Sequence, residues 1–230
     1  MENLRIEKKF ELNERKIDIF KDWLKFQSNF TIHHPKRVIT SIYFDTPNRR
    51  SLEDNVTGVS KRCKFRLRWY STNNIISKTL QNLQAELKFK KNTFGGKRVF
   101  FFDINQIKQI TKSNFKLTTK TYDQLKKKLD IPLYFFGSDP FLLCRYEREY
   151  YINEIGIRLT IDKNISFSDK ISLNLKDSNW HFLPKMIVEV KFHDYLLSNA
   201  VKGLRKLPLK AVRNSKYVLG SAVLGQTIYV

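Results

Sequence analysis

The feature that most constrains this chain is a short alternation of apolar and charged residues that occurs twice in nearly the same form. Residues 85–89 read Ala-Glu-Leu-Lys-Phe, and residues 188–192 read Val-Glu-Val-Lys-Phe. Successive side chains of a β-strand point to opposite faces, so the acid and the base share one face and the apolar residues take the other. The pattern therefore predicts strands with one apolar face and one charged face.

The same alternation recurs along the chain and predicts most of its secondary structure. We expect about eight strands, at residues 4–12, 38–45, 63–70, 83–91, 97–103, 143–152, 155–162 and 186–192. Apolar residues at helical spacing predict helices at residues 13–27, 118–129, 194–204 and 214–226. A further helix, which carries Ile104, Ile107 and Ile110, is predicted to begin after Asp103 as its capping residue. The strand and helix spacing of a parallel sheet is absent, which favours an antiparallel sheet, sandwich or barrel. We predict one mixed α+β domain over residues 1–230, long enough to bury its own core.

The charge of the chain points to its partners. Lysine and arginine number 43 against 22 acidic residues, a formal net charge of +21 at pH 7. Such an excess implies a polyanionic partner such as nucleic acid, a phosphate chain, a nucleotide or an anionic membrane surface. The alternative is a charge that serves solubility.

Several features bear on the compartment. The start of the chain is too charged for a signal peptide, and no apolar run reaches the length of a membrane span. The two cysteines, Cys63 and Cys144, lie in alternating stretches and are interpreted as buried free thiols. We therefore expect a soluble protein of a reducing, cytoplasmic compartment.

Charged faces of the same kind recur on most of the predicted strands. They carry Glu7 with Lys9, Arg66 with Arg68, Glu86 with Lys88, Arg148 with Tyr146, Arg158 with Asp162, and Glu189 with Lys191. A solvated outer face with cross-strand ion pairs would explain any one of them. If the faces met inside a closed barrel, the crowded like charges would need a bound anion or metal. The pattern alone leaves both interpretations open.

A set of short motifs in fixed order adds a resemblance to a known family. The motifs are Arg5-x-Glu7-x-Lys9-Phe10, Ser41-Ile42-Tyr43-Phe44-Asp45-Thr46, Arg66-Leu67-Arg68-Trp69-Tyr70, Glu86-Leu87-Lys88, Tyr146-x-Arg148-x-x-Tyr151, Arg158-x-x-x-Asp162, Glu189-Val190-Lys191 and Ser215-Lys216-Tyr217. Together they resemble the catalytic domain of the vacuolar transporter chaperone (VTC) polyphosphate polymerases. That domain belongs to the triphosphate tunnel metalloenzymes, which also include the CYTH phosphatases. The resemblance runs from Arg5 to about Leu219.

The resemblance implies a fold and an activity. The fold would be a closed antiparallel β-barrel tunnel of about eight strands, with helices packed outside. The tunnel would bind ATP by its phosphates with Mn²⁺ or Mg²⁺, and pass the γ-phosphoryl to a growing inorganic polyphosphate chain. Inorganic pyrophosphate would be a further partner. The residues that the resemblance assigns to phosphates are Lys9, Arg66, Arg68, Lys88, Arg148 and Arg158, with Tyr146 lining their site and Lys216 reaching into the tunnel. Glu189 would hold the metal.

Further residues are candidates by their chemistry and position. Glu7 and Glu86 could be second metal ligands, or they could form salt bridges to neighbouring bases. Lys191 lies on the charged face, and Lys97 follows a predicted Gly95-Gly96 hairpin turn from which it could reach a phosphate at the tunnel mouth. Asp45, before Thr46-Pro47, is interpreted as a turn former.

One departure from the phosphatase pattern favours a polymerase. The first strand of the CYTH phosphatases resembles Glu-x-Glu-x-Lys, whereas Arg5 stands here at the first position. Fewer acids and more bases fit the binding of a long polyanion. Two alternatives stay open: a tripolyphosphatase or nucleoside triphosphatase on the same fold, and a non-catalytic protein that binds polyphosphate or RNA.

Overall fold

The computed structural model describes residues 5–27, 29–71, 82–91, 94–172 and 175–227. Nine strands lie in these ranges: β1 Arg5–Leu12, β2 Thr31–Asp45, β3 Lys61–Ser71, β4 Gln84–Lys91, β5 Phe94–Phe101, β6 Asp139–Ile152, β7 Arg158–Ser168, β8 His181–Phe182 and β9 Met186–His193. The same ranges contain six α-helices: α1 Ile17–Asp22, α2 Arg50–Val56, α3 Ile104–Lys112, α4 Thr119–Leu129, α5 Leu197–Arg205 and α6 Lys216–Val223. A π-helical turn, Trp23–Gln27, follows α1.

The predicted strands and helices are confirmed, with shifted ends. Asp103 caps α3 as expected: its carboxylate accepts from the backbone N–H groups of Asn105 and Gln106. Helix α2 and the short β8 were not predicted. The prediction of a hairpin turn at Gly95-Gly96 is wrong, because both glycines lie inside β5. Gly96 faces the ring of Phe89 on β4 so closely that a Cβ atom there would overlap it.

The sheet is antiparallel but open. Its strands follow the order β1-β9-β7-β6-β2-β3-β4-β5, and β8 pairs with β7. In the described ranges, β1 and β5 end this order and do not pair with each other. The mixed α+β class is therefore confirmed, and the predicted closed barrel is wrong. Closure depends on pairing between the two terminal strands, which the alternation within a strand does not encode.

The chain divides into two compact units, each built from several segments. The first unit comprises Met1–Arg37, Tyr146–Ile165 and Phe182–Asn214, and the second comprises Val38–Arg145, Ser166–His181 and Ser215–Val230. Each has its own apolar core. The prediction of a single domain over residues 1–230 stays a prediction.

The apolar face of each strand forms these cores as the alternation predicts. In the second unit, Phe65, Leu67 and Trp69 of β3 pack with helices α3 and α4. In the first unit, Val188 and Val190 of β9 are fully buried, in a core that also takes Phe20 and Trp23.

Part of the opposite, charged face is buried, although Lys88, Lys97 and Arg158 on it are exposed. Glu86 is 1% exposed and Arg68 6% in the second unit, and Glu189 is 7% exposed and Asp162 0% in the first. A solvated sheet face would leave such side chains in water, so this interpretation does not apply to them. Buried charges must instead be paired or bind a ligand of opposite charge.

Two further sequence predictions concern thiols and membranes. Among the described residues neither Cys63 nor Cys144 forms a disulfide; Cys144 is buried and Cys63 half-buried. Across the described ranges, no helix combines the length and the apolar composition that crossing a membrane requires.

Candidate functional site

In the second unit, three cationic side chains converge on one buried carboxylate. Arg66 on β3 lies opposite Glu86 on β4 in the strand register. Its Nε donates to Glu86 Oε2 at 2.7 Å, and Arg68 Nη1 lies 3.5 Å from the same oxygen. Lys97 Nζ, from β5, donates to Glu86 Oε1 at 3.0 Å. The structure thus brings together four residues that the sequence proposed separately.

The charge balance of this cluster favours an anion. Burial alone would raise the pKa of Glu86, but Arg66, Arg68 and Lys97 together lower it well below its usual range. The carboxylate is therefore ionised at neutral pH and neutralises one of the three cations beside it. The surplus positive charge lies on the little-exposed Arg66 and Arg68 and on the half-exposed Lys97, and it favours an anionic ligand.

Two polar side chains of β2 orient the arginines. Tyr43 pairs with Arg66 in the register, and its Oη accepts from Arg66 Nη1 at 2.9 Å. Ser41 pairs with Arg68, and its Oγ accepts from Arg68 Nε at 3.1 Å. Each guanidinium is thus fixed from two sides before any ligand binds, which lowers the entropic cost of binding.

Asp45 has a role that sequence reasoning missed. Its buried carboxylate accepts from the backbone N–H of Thr46 at 2.8 Å, of Ser51 at 2.9 Å and of Leu52 at 3.0 Å, and from the phenol of Tyr217. It therefore does more than form a turn, because it fixes the start of α2 and anchors α6. Tyr217 also stacks on Tyr43 with ring centroids 5.0 Å apart. The motif Ser215-Lys216-Tyr217 carried this signal, although the sequence could not show its partner.

The start of α6 contacts a further lysine of the second unit, Lys64. Ser215 is the N-cap residue, and its Oγ accepts from Lys64 Nζ at 2.8 Å. Lys216 follows directly as the first residue of α6. Sequence analysis did not select Lys64, although it stands two residues before Arg66 in the same alternation. Lys88 lies opposite Lys64 on β3 and Lys97 on β5, with an exposed side chain.

In the first unit, the acid–base segments of β1 and β9 meet in register. Lys9 lies opposite Glu189, and Glu7 opposite Lys191. Lys9 Nζ is 2.9 Å from Glu7 Oε1 and 3.8 Å from Glu189 Oε2, while Lys191 forms an ion pair with Glu189. Burial would raise the pKa of Glu189, but Lys191, Lys9 and Arg148 hold it well below its usual range.

Arg148 is held by a second buried acid in the same unit. Its Nε and Nη2 donate to Asp162 Oδ1 at 2.5 Å and Oδ2 at 2.8 Å, a bidentate pair. Its guanidinium carbon lies 5.3 Å from the centroid of the buried Tyr146 ring. Arg158 is exposed at the start of β7, opposite Lys191. Tyr146, Arg148, Arg158 and Lys191 therefore all lie on strands of the first unit, and their predicted roles stay predictions.

The three acids proposed as metal ligands, Glu7, Glu86 and Glu189, all form ion pairs in this structure. Within the described ranges, no group of three or more histidine, cysteine or acidic side chains is arranged to hold a metal. Glu7 and Glu189 belong to one unit and share Lys9, so together they offer hard carboxylate oxygens of the kind Mg²⁺ and Mn²⁺ prefer. Glu86 is engaged by three cations and by Gln84 Nε2 at 3.1 Å. Its contacts are those of the salt-bridge alternative, and the ion pairs of Glu7 with Lys9 and Lys191 are of the same kind.

The described strands form an antiparallel sheet on which arginines and lysines surround buried acids. The sequence profile of the VTC domain matches residues 4–225, and the chain belongs to this family. The resemblance stated from the motifs is thus confirmed. Comparison with curated proteins gave no match.

Solved structures share the fold at low sequence identity. A putative adenylyl cyclase from Hippeastrum, described as having a dominant triphosphatase activity, matches with a TM-score of 0.57 at 13% identity, covering 98% of each chain. A putative adenylate cyclase from Bacillus halodurans matches with a TM-score of 0.56 at 12% identity, covering 93% of this chain and 94% of that one. A chain of the Schizosaccharomyces pombe Mediator head module matches with a TM-score of 0.50 at 13% identity, covering 91% and 99%. At such identities the similarity establishes a shared fold and assigns no activity.

Proposed function

We propose that this protein is a metal-dependent phosphotransferase that passes the γ-phosphoryl group of ATP to a growing inorganic polyphosphate chain. The observation that carries the proposal is membership of the VTC domain family over residues 4–225. Three motif arginines support it, because Arg68 is buried and Arg66 and Arg148 are half-buried, so this part of the charged face is not fully solvated.

The two clusters suit the chemistry of phosphoryl transfer. The reaction needs fixed positive charge around phosphate oxygens and little covalent work by the protein. Arg66 and Arg68 are positioned by Glu86, Tyr43 and Ser41. A guanidinium held in this way can contact two phosphate oxygens at once. Arg148, held by Asp162, has the same character in the first unit.

The metal, Mn²⁺ or Mg²⁺, would be held by Glu189 with Glu7 as second ligand, and the phosphates would supply most other oxygens. When bound, such an ion neutralises charge on the transferred phosphoryl group. The lysines of the first unit keep Glu189 ionised and place cations beside it. The contacts of Glu86 favour a role in orienting the arginines.

Two alternatives have support of their own. The Hippeastrum protein that shares this fold is described as a triphosphatase, and a triphosphatase would use the same phosphate contacts with water as the acceptor. A non-catalytic polyanion-binding protein would need the cationic clusters alone. The fold also occurs in a chain of the Mediator head module, so the fold does not decide between them.

A product assay separates the three functions. The purified protein is incubated with ATP, Mn²⁺ and a trace of pyrophosphate, the products are run on a urea gel stained for polyphosphate, and free phosphate is measured. A ladder of long chains together with ADP supports the polymerase. Free phosphate without chains supports the triphosphatase. Neither product, combined with salt-dependent binding of polyphosphate, supports the binding protein.

A second experiment tests the metal assignment. Glu189→Gln should abolish turnover while ATP still binds weakly, because the amide keeps the shape and loses the charge. The matched control is Asp18→Asn on α1, whose side chain is 95% exposed. Full activity of Glu189→Gln would overturn the assignment of Glu189 to the metal.

A further inference from the structure

An aromatic and cationic cluster lies beside the arginines of the first unit and has no role in the contacts described so far. The ring of His34 meets the ring of Tyr150 edge-on, with centroids 5.8 Å apart. His33 packs against His34 with centroids 4.1 Å apart. The guanidinium carbon of Arg37 lies 5.9 Å from the centroid of the Tyr150 ring. His34 and Arg37 are exposed and Tyr150 is half-buried, so a planar ligand can reach this cluster from solvent.

The cluster is adjacent to residues proposed to bind phosphate. Tyr150 follows Arg148 by two positions on β6, so both side chains leave the same face of the strand. The spacing along the strand is about 7 Å, from a rise of about 3.4 Å per residue. The positive charge of Arg158 also acts on the His34 ring. Phosphate-binding cations and exposed rings thus stand side by side within one unit.

The protonation state of His34 suits stacking against a planar ligand. Partial desolvation and the neighbouring charges of His33, Arg37 and Arg158 lower its pKa. The imidazole is therefore neutral at pH 7 and offers an uncharged aromatic face among cations. Aromatic and arginine side chains beside a basic groove are the usual means of holding a nucleobase without reading its hydrogen-bond edge.

We propose that His34 and Tyr150, with Arg37 beside them, form a subsite for the planar base of the nucleoside triphosphate whose phosphates lie on the arginines. This proposal rests on the proposed function, because it assumes that the first unit binds triphosphate. It assigns a substrate class: a nucleotide with an aromatic base binds better than an inorganic chain of the same phosphate number. Stacking on a ring face implies little discrimination among bases.

The test compares ATP with inorganic tripolyphosphate, which carries the phosphates without a base. Dissociation constants for both are measured by titration calorimetry with Mn²⁺ on the full chain, for the wild type, Tyr150→Ala and His34→Ala. Each variant should weaken ATP binding about tenfold, the size of the loss of one stacking contact. Binding of tripolyphosphate should change by less than about twofold. Tyr150→Phe keeps the ring and should bind ATP as the wild type does.

The control variant removes an exposed aromatic ring that lies outside this cluster. Tyr195 is 70% exposed and stacks on His193 with centroids 5.4 Å apart, so Tyr195→Ala removes a comparable exposed ring. It should leave both constants unchanged. Equal weakening of both ligands in Tyr150→Ala, or no weakening of either, would overturn the subsite. Since the readout is binding, a selective loss of ATP affinity supports the subsite even if the product assay shows no polyphosphate.

Discussion

Tyr217 donates its phenolic hydrogen to the carboxylate of Asp45, although the two residues are 172 positions apart in the sequence. Both side chains are 1% exposed. Because Asp45 also accepts from the backbone N–H groups of Ser51 and Leu52, the bond ties α6 to the start of α2. Through the stacking of Tyr217 on Tyr43, it also fixes the residue that orients Arg66.

Tyr217→Phe should lower the free energy of unfolding by about 1–3 kcal/mol, because a buried charged acceptor loses one of its donors. Urea denaturation at pH 7 measures the change. Tyr195→Phe, at a tyrosine that is 70% exposed, is the control and should change stability by less than about 0.5 kcal/mol. Equal stability of the two variants would show that the bond contributes nothing.

The same pair predicts a loss of stability in alkali. Burial and then the charge of Asp45 raise the pKa of Tyr217 well above its usual range. The folded state therefore favours the protonated phenol, and this stabilisation is complete below the unfolded pKa of about 10 and decreases as the pH rises above it. Stability measured from pH 8 to pH 11 should fall less steeply in Tyr217→Phe than in the wild type. If stability fell equally steeply with pH in both proteins, the buried phenol of Tyr217 would not be the source of the alkaline loss.

Glu86→Gln should destabilise the protein at neutral pH, and this difference should disappear in acid. Removing the charge leaves Arg66, Arg68 and Lys97 without their shared acid, a cost of about 3 kcal/mol by analogy with broken buried ion pairs. Since the folded pKa of Glu86 is depressed, its contribution is present above the unfolded value of about 4.3 and declines as the pH falls below it.

Denaturation at pH 7 and at pH 3 tests this prediction. The gap between the wild type and Glu86→Gln should narrow at the lower pH, while Glu154→Gln, at an exposed turn, should match the wild type at both. A gap that stays constant would mean that the carboxylate charge is not the source of the stabilisation.

Arg66→Ala should reduce turnover by about 10²- to 10³-fold, comparable to the removal of one preorganised donor in other enzymes. Arg62→Ala is a matched control on the same strand, because Arg62 donates to the carbonyl of Gly58 at 3.2 Å and not to Glu86. Initial rates of ADP formation compare the two. A loss below about tenfold in Arg66→Ala would place this arginine outside the site.

Gly220→Ala should destabilise the protein by about 1–3 kcal/mol. A Cβ at Gly220 would lie 2.5 Å from the buried ring of Phe167 and 2.8 Å from Leu142, so α6 approaches the sheet only because the residue is glycine. Gly203→Ala in α5 meets nothing within 4 Å and should be neutral or slightly stabilising. Thermal unfolding distinguishes the two, and a stable Gly220→Ala would show that α6 can shift.

The sequence by itself determined the elements of this protein and the two faces of its strands. The alternation around Arg66 or Glu189 is a local property, since strand geometry fixes which side chains share a face whatever the strand pairs with. Local signals also located α3, where Asp103 caps the helix. The ordered motifs identified the family, and the profile match over residues 4–225 confirmed it.

The tertiary structure decided which charged residues share a partner. The joining of Arg66, Arg68 and Lys97 at Glu86 follows from the register of three strands, and a strand's own sequence does not state that register. The bond between Asp45 and Tyr217 depends on where α6 packs. Sheet closure likewise depends on pairing between β1 and β5, which are far apart in the sequence. Local geometry is set by neighbouring residues, whereas contacts between distant segments are set by packing of the whole chain.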